Sequence, residues 1–339
     1  MRVLLACDRS GGHIFPALCY GKNSRKDQVC FFATSTYFKS LLEENNFKVI
    51  GTSFRFRNIA LEGFFRFWEA LYFIFKLRPK KVIGFGGRDT FFLIIWSRIF
   101  LIDTSIYEPN FAIGRANKIL ALFVKRIYCS FQLATKFKKV NRVGIPLRDD
   151  LKKLDKKEAK RLLGLDTYLP VILCFGGSQG SVFINQSFKD LVSLLDRDFQ
   201  IIHITGSQQY YEFMDFYDRI NKKARTFDFC RNMGIVYSSA DLIISRAGAL
   251  TLAEISFYRI PVILIPHPLA GAHQYENANY FKKRDACLLI TQDNFSSVAL
   301  KSLVENLLDN NELRDKLKSN LKYLNLAVSC NQFYKNCNL

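Results

Sequence analysis

Short apolar runs that end in a glycine-bearing or polar turn and lead into a helix-like stretch recur along this chain. That rhythm narrows the folds open to it. "RVLLACDRSGGHIFPAL" opens the sequence, and "PVILCFGGSQGSVFINQSF" at 170–188 repeats the arrangement. Between them lie "KKVIGFGGRDTFF" at 80–92 and "TSIYEPN" at 104–110; after them come "FQIIHITGS" at 199–207, "ADLIISRAGALTLAEI" at 240–255 and "IPVILIPHP" at 260–268. Continuous Val/Ile/Leu runs followed by helices read as parallel strands buried on both faces, in βαβ units. The two similar openings predict two doubly wound α/β halves. Ligands of such sheets bind beyond the carboxyl ends of the strands, so the site is expected in a cleft between the halves. The segment "VNRVGIPLRDDLKK" at 140–153 carries Gly144 and Pro146 and then a charge run. The domain change is placed there, giving domains 1–143 and 144–339, with the last helix free to pack back on the first.

Charge separates the two halves. The 339 residues carry a net charge of +19. Residues 1–148 hold 25 Lys+Arg against 9 Asp+Glu, which is +16, and the remainder only +3. A basic half calls for a polyanionic partner: nucleic acid, anionic lipid headgroups or phosphorylated substrates. The segment "SFRFRNIALEGFFRFWEALYFIFKLRPKK" at 53–81 mixes nine aromatics with seven Lys/Arg and two Glu. It reads either as an amphipathic helix on a sheet or as an attachment face for an anionic membrane surface, with Arg55, Arg57 and Arg66 turned outward. Nucleic acid is disfavoured, because these aromatics follow helical packing and form no strand platform. Nine scattered cysteines without a C-x-x-C pair argue against a disulfide framework and a zinc site, and fit a reducing cytoplasm. The opening apolar run is too short for a signal peptide, and no run of about eighteen apolar residues predicts a spanning helix.

The glycine turns carry the chemistry. A glycine-rich turn entering a helix presents unpaired amides and the positive end of the helix dipole, which favour phosphate. Ser10-Gly11-Gly12-His13 and Gly176-Gly177-Ser178-Gln179-Gly180 both fit, although such turns also occur as plain strand-to-helix connections. Neither is a Walker A loop or a G-x-G-x-x-G fingerprint. In "SRAGALTLAEI" at 245–255, a helix starting at Ala249 frees the amides of Leu250 and Thr251 for an anion. Thr251 and Glu254 then share one face, while Leu252 and Ile255 pack on the sheet. A carboxylate so placed either accepts hydrogen bonds from a ribose diol or simply complements the helix dipole.

"SGGHIFPAL", "GFGG", "YEPN", "VGIPLR", "GGSQGS…IN", "SRAGALTLAE" and "HQYENA" occur in the order and spacing of one family. Over roughly residues 1–325 the chain resembles the MurG family of bacterial glycosyltransferases, glycosyltransferase family 28. These enzymes move N-acetylglucosamine from UDP-N-acetylglucosamine onto undecaprenyl-diphosphate-linked muramyl-pentapeptide in peptidoglycan synthesis. The resemblance implies two Rossmann-like doubly wound domains facing a cleft, the GT-B arrangement, and a peripheral enzyme on the cytoplasmic face of the inner membrane. It places the donor on Ala249, Leu250, Thr251, Leu252, Ala253 and Glu254, with Glu254 on the ribose. Arg246 would lie near the phosphates or brace the turn. Ser178 would meet the diphosphate, Gln179 and Arg148 the donor, Gln274 the N-acetylglucosamine, and Cys230 would sit beside uracil; Asn277 serves structure. From the first half, Ser10, Gly11, Gly12 and His13 would face the acceptor diphosphate and the reacting sugar, and Asn110 joins the donor-binding set.

Three departures from the family pattern fall in the first half. Asp8 and Arg9 replace glycines in the first loop, Tyr107 and Pro109 replace histidine and glutamine beside Glu108, and Arg88–Thr90 replace aromatic and small residues. By the resemblance, the acceptor 4-hydroxyl attacks C1 of the donor sugar as UDP leaves, with inversion. No D-x-D motif lies near the donor segments, so neither a metal nor a cofactor is expected. His13 is the first candidate for the base and Glu108 the second, though each also fits a role in shaping its loop. Another enzyme of the same fold, a lipid glycosyltransferase or a UDP-N-acetylglucosamine 2-epimerase, is the alternative; a non-catalytic nucleotide-sugar binder is another.

Overall fold

The computed structural model describes residues 3–7, 11–54, 56–87, 90–132, 139–177, 180–268 and 273–339. The chain forms two compact units: Met1–Arg148 with Val328–Leu339, and Asp149–Ala327. The boundary thus falls at 148/149, where the sequence placed it at 143/144, and the last twelve residues belong with the first unit.

The first unit is built from β1 (Val3–Ala6), α1 (Gly11–Lys22), β2 (Val29–Phe32), α2 (Thr36–Glu44), β3 (Lys48–Ile50), α3 (Ile59–Leu77), β4 (Lys81–Gly84), α4 (Phe91–Ile99), β5 (Asp103–Glu108), α5 (Arg115–Phe123), β6 (Arg126–Cys129), β7 (Val140–Arg142) and the short β8 (Ile145–Pro146). Its seven-stranded sheet runs β3-β2-β1-β4-β5-β6-β7, with every pair parallel. Leu5, Phe31 and Ile83 point to one face, packed with Ile14 and Tyr20; Leu4, Phe32 and Val82 point to the other, packed with Ile74 and Leu93. Both faces are covered, which is why the strand sequences show no polar alternation.

The second unit contains α6 (Lys156–Leu162), β9 (Val171–Phe175), α7 (Val182–Leu194), β10 (Gln200–Ile204), α8 (Tyr210–Arg219), β11 (Ala224–Phe227), α9 (Met233–Ser239), β12 (Leu242–Ser245), α10 (Ala249–Tyr258), β13 (Val262–Leu264), α11 (His273–Lys282), β14 (Leu288–Leu289), α12 (Ser297–Asp309) and α13 (Asn311–Leu324). Its parallel sheet runs β11-β10-β9-β12-β13-β14. The chain then returns through β15 (Ala327–Val328) and α14 (Cys330–Asn336). In each unit the strand order reverses direction beside the first strand, between β1 and β4 and between β9 and β12. That switch point is where a doubly wound sheet leaves a crevice at its carboxyl edge.

Two sequence expectations change. Cys19 on α1 and Cys330 on α14 are joined as a disulfide, with Cα atoms 5.0 Å apart and 311 residues between them in sequence. One bridge is no framework, but it ties the last helix to the first, a pairing no local spacing announces. Arg66 does not face outward either. It is buried in α3, its Nε 3.0 Å from Glu62 and its guanidinium 2.5 Å from Glu69. It also donates to the carbonyls of Thr52 and Phe54, so the triad anchors the loop before the helix. Burying one cation between two carboxylates is tolerable only with such complete hydrogen bonding.

The opposite side of α3 is exposed and apolar, presenting Phe64, Trp68, Tyr72 and Phe75. Phe75 meets Phe100 after α4 at 4.9 Å, and α5 adds exposed Ile119, Leu122 and Phe123. Arg57, Lys76, Arg78 and Lys118 are exposed around this face, while Arg55 lies outside the described residues. Among the described residues no helix is long and apolar enough to cross a membrane.

Candidate active site

In the second unit, the loops after β9 and β12 flank the switch point. After β9, Gly177 and Gly180 adopt φ values of +105° and +73°, a region closed to most side chains. A Cβ on Gly180 would collide with the carbonyl oxygen of Thr205, so only glycine lets this turn pass. Ser181 then caps α7, accepting from the Ile184 amide at 3.4 Å. Ser178 and Gln179 lie outside the described residues.

After β12, α10 begins at Ala249, the start the sequence predicts, with Gly248 as a cap that has no side chain to satisfy the first amides. Thr251 and Glu254 are half-buried on one face of α10, while Leu252 and Ala253 are fully buried. This corrects part of the donor set: Leu252 and Ala253 are core, and neither side chain is open to a ligand. Glu254 accepts a 2.8 Å hydrogen bond at Oε2 from the hydroxyl of Tyr237 on α9. Tyr237 carries no sequence signal, since its partner lies on the next helix, across a strand.

Arg246 resolves as a brace. It is buried and donates to the Ile265 carbonyl at 3.0 Å, to Gln292 Oε1 at 2.8 Å and to Ser181 Oγ at 3.0 Å. Burial pulls its pKa down to about 10, so it stays cationic at neutral pH. It links the turns after β9 and β12 and adds its charge beneath them. Asn277 is fully buried, its amide donating to the Ala247 carbonyl, as a structural residue should. Gln274 uses its carbonyl oxygen on the His267 amide at 2.9 Å, which fixes the side chain and directs its NH2 group. Cys230 is half-buried in the turn after β11.

In the first unit, Gly11, Gly12 and His13 form the first turn of α1; Ser10, Asp8 and Arg9 lie outside the described residues. His13 packs against Gly86, which follows β4 with φ +103°; a Cβ there would sit 2.8 Å from His13 Nε2. The switch-point loops after β1 and β4 thus meet at the imidazole. Thr90 folds its hydroxyl back onto the Gly86 and Gly87 carbonyls, while Arg88 and Asp89 lie outside the described residues.

Glu108 ends β5 with its carboxylate buried and filled. Oε1 accepts from the backbone and side-chain nitrogens of Asn110 at 3.1 and 3.0 Å, and Oε2 from the Gly114 amide and Asn117 Nδ2, both at 2.9 Å. A carboxylate accepting four hydrogen bonds holds the 109–117 loop and has little lone-pair capacity left for a substrate proton. The expectation of Glu108 as a base is corrected accordingly, and Asn110 is its partner. Tyr107 is core, bonded to Ser130 at 2.7 Å and to the Gly144 carbonyl, so this departure from the family pattern points inward. Arg148 stacks its guanidinium 5.4 Å from the centre of the Phe15 ring on α1.

The glycosyltransferase family 28 N-terminal domain matches residues 3–129, and the family's C-terminal domain matches residues 171–329. The chain belongs to glycosyltransferase family 28. Relatives of this family-28 chain span its full length. The UDP-N-acetylglucosamine–N-acetylmuramyl-(pentapeptide) pyrophosphoryl-undecaprenol N-acetylglucosamine transferase of Thermoanaerobacter sp. (strain X514) is 31% identical, over 99% of this chain and 98% of the relative. The enzyme of the same name from Aquifex aeolicus (strain VF5) is 33% identical over 88% and 90%. Among solved structures, Acinetobacter baumannii MurG superposes with a TM-score of 0.74 at 23% identity, covering 99% and 95% of the two chains. A putative UDP-N-acetylglucosamine 2-epimerase from Listeria monocytogenes reaches 0.70 at 11% identity over 98% and 94%. The fold alone therefore does not separate transferase from epimerase, whereas the family match and the full-length relatives do.

Proposed function

We propose that this chain transfers N-acetylglucosamine from UDP-N-acetylglucosamine to the 4-hydroxyl of undecaprenyl-diphosphate-linked muramyl-pentapeptide, with inversion at C1. The observation that carries this reading is the end-to-end correspondence with family-28 enzymes of that name, at 31% identity over 99% of the chain. The second unit has the features a nucleotide-sugar seat needs. The glycine-capped start of α10 offers amides to the diphosphate, and Arg246 beneath it supplies fixed positive charge. Glu254, held by Tyr237, faces the ribose diol. Preorganised donors of this kind stabilise the charge that develops on departing UDP without reorganisation during the reaction. His13 takes the proton of the attacking hydroxyl, with Gly86 giving it room. Gly11, Gly12 and Ser10 face the acceptor diphosphate. Arg148, Gln274, Ser178, Gln179 and Cys230 complete the donor contacts.

The acceptor is a lipid, and the exposed aromatic side of α3 to α5 gives the enzyme a means of reaching it. Phe64, Trp68 and Phe75 enter the interface of an anionic bilayer on the cytoplasmic face, and Arg57, Lys76 and Arg78 meet its headgroups. No nucleic acid partner is needed to account for the charge.

Release of UDP from UDP-N-acetylglucosamine tests the activity. It should require the lipid-linked muramyl-pentapeptide and be matched by disaccharide formation. Formation of N-acetylmannosamine or its dehydration products without that lipid would establish an epimerase instead.

A further inference from the structure

A second concave site lies at the opposite, amino edge of the second unit's sheet, where Pro170, Asp241 and Pro261 lead into β9, β12 and β13. Its volume is about 590 Å3, within the usual range for a small-molecule site. Eight lysines and arginines line it, against Asp241 as the only carboxylate. Several of the cations have structural employment. Asp241 neutralises Lys156 at 2.7 Å and Lys160 at 3.0 Å, and Arg197 pairs with Asp309. Arg314 donates to the Leu307 and Leu308 carbonyls at the end of α12.

Lys318 pairs with Asp315 at 3.0 Å. Lys153, Arg259 and Lys322 remain, and none has an acidic partner among the described residues. Two further features mark this trio. Lys153 sits 4.5 Å from the Phe257 ring centre, where burial first and the charge of Arg259 second disfavour its ammonium form. Arg259 itself holds φ +59° at the end of α10, a left-handed position that glycine or asparagine ordinarily takes. The chain therefore keeps a long cationic side chain at a backbone position that disfavours it, beside a like charge. A multiply charged anion in the cavity would relieve the repulsion between these two cations and be stabilised by both charges.

We propose that this cavity binds a small polyphosphate, a chain of two or more phosphates, clamped by Lys153, Arg259 and Lys322. Phosphate suits it because the cations surround the cavity from α10, α13 and the segment before α6, and a polyphosphate offers oxygens in every direction. Tyr168 at the rim and Tyr258 in the wall provide aromatic surface for a base, so the phosphates could belong to a nucleotide or to an inorganic chain. Tyr258 also stacks on Tyr237, at 5.1 Å and 29°, and Tyr237 holds Glu254; occupancy is thereby joined to the donor carboxylate through two rings.

Calorimetric titration of the full chain at low salt, with UDP saturating the donor site, tests the site with tripolyphosphate and with ATP as separate probes. One molecule should bind per chain and weaken as salt is raised. Tighter binding of ATP identifies a nucleotide; equal binding identifies the phosphate chain alone as what is read. The Lys153→Glu/Arg259→Glu/Lys322→Glu variant should bind at least about tenfold more weakly, since each charge-assisted contact contributes that order of affinity. Arg259→Gly guards against misfolding, because glycine suits the backbone there; it should keep the unfolding temperature and still lose affinity. The proposal fails if neither probe saturates, if UDP displaces the bound probe, if both variants bind like wild type, or if only an acidic peptide such as polyglutamate binds.

Discussion

The hydroxyl of Tyr237 on α9 lies 2.8 Å from Oε2 of Glu254 on α10, donating to it. Tyr237 is buried and stacked on Tyr258, so its oxygen is fixed and the carboxylate is oriented before any donor arrives. Tyr237→Phe keeps the ring and removes the donor. Affinity for UDP-N-acetylglucosamine should fall by about 1 kcal/mol, roughly fivefold, with little change in melting temperature. Glu254→Ala should cost about 1.5–3 kcal/mol. The double variant should lose no more than Glu254→Ala alone, because both act on one contact. Additive losses by calorimetry would show that Tyr237 acts on donor binding by another route.

His13→Ala should lower turnover by roughly 10²–10⁴-fold while donor affinity stays within a few-fold, since a base acts in the transition state. Gly86→Ala should show the same pattern more weakly, because its Cβ would press on the imidazole at 2.8 Å. Turnover within a few-fold of wild type in His13→Ala would remove it as the base.

Glu108→Ala leaves four donors around an empty acceptor position. The protein should lose about 2–4 kcal/mol of stability, read as a lower denaturant midpoint at constant slope. A variant that unfolds like wild type and yet has no turnover would return Glu108 to the role of proton acceptor.

Arg66 and the exposed cations of the same segment should behave oppositely. Arg66→Ala strands two buried carboxylates and should destabilise the first unit by about 3–5 kcal/mol. Arg57→Glu/Lys76→Glu/Arg78→Glu should fold normally and sediment poorly with anionic vesicles, each lost charge weakening attachment by about 1 kcal/mol. Equal sedimentation of that variant and wild type would place the membrane face elsewhere.

His203 gives a pH signature. It is buried on β10 between Tyr217 and Asn185, and burial holds its pKa down to about 3. The folded state keeps the ring neutral, while the unfolded chain takes up a proton near its ordinary value of about 6.5. Its contribution is therefore complete above that pH. It is lost as pH falls toward about 3, by at most about 1.4 kcal/mol per pH unit. Denaturant titrations of wild type and His203→Gln between pH 7 and 5 should show a steeper loss in wild type; parallel curves would contradict the assignment.

The sequence by itself determined the strands, the two doubly wound sheets and the glycine turns at their carboxyl edges. These depend on local residue choice: runs buried on both faces must be apolar throughout, and a turn at positive φ pressed against neighbouring backbone, as at Gly180, must be glycine. It also determined the start of α10 at Ala249 and the shared face of Thr251 and Glu254, which follow from helical spacing alone. Tertiary structure decided what each polar side chain does once strands are brought together. Arg66 looks like a surface cation in a mixed aromatic stretch, and only its bonds to the Thr52 and Phe54 carbonyls and to Glu62 and Glu69 turn it inward. Glu108 looks like a base until Asn117, nine residues further on in the first turn of α5, fills its second oxygen. Arg246, Tyr237 and the Cys19–Cys330 pair depend on partners 17 to 311 residues away, distances over which local sequence carries no pattern. The cationic cavity at the amino edge is of the same kind, since α6, α10 and α13 contribute charges that are ordinary in sequence and become a cluster only when the helices converge.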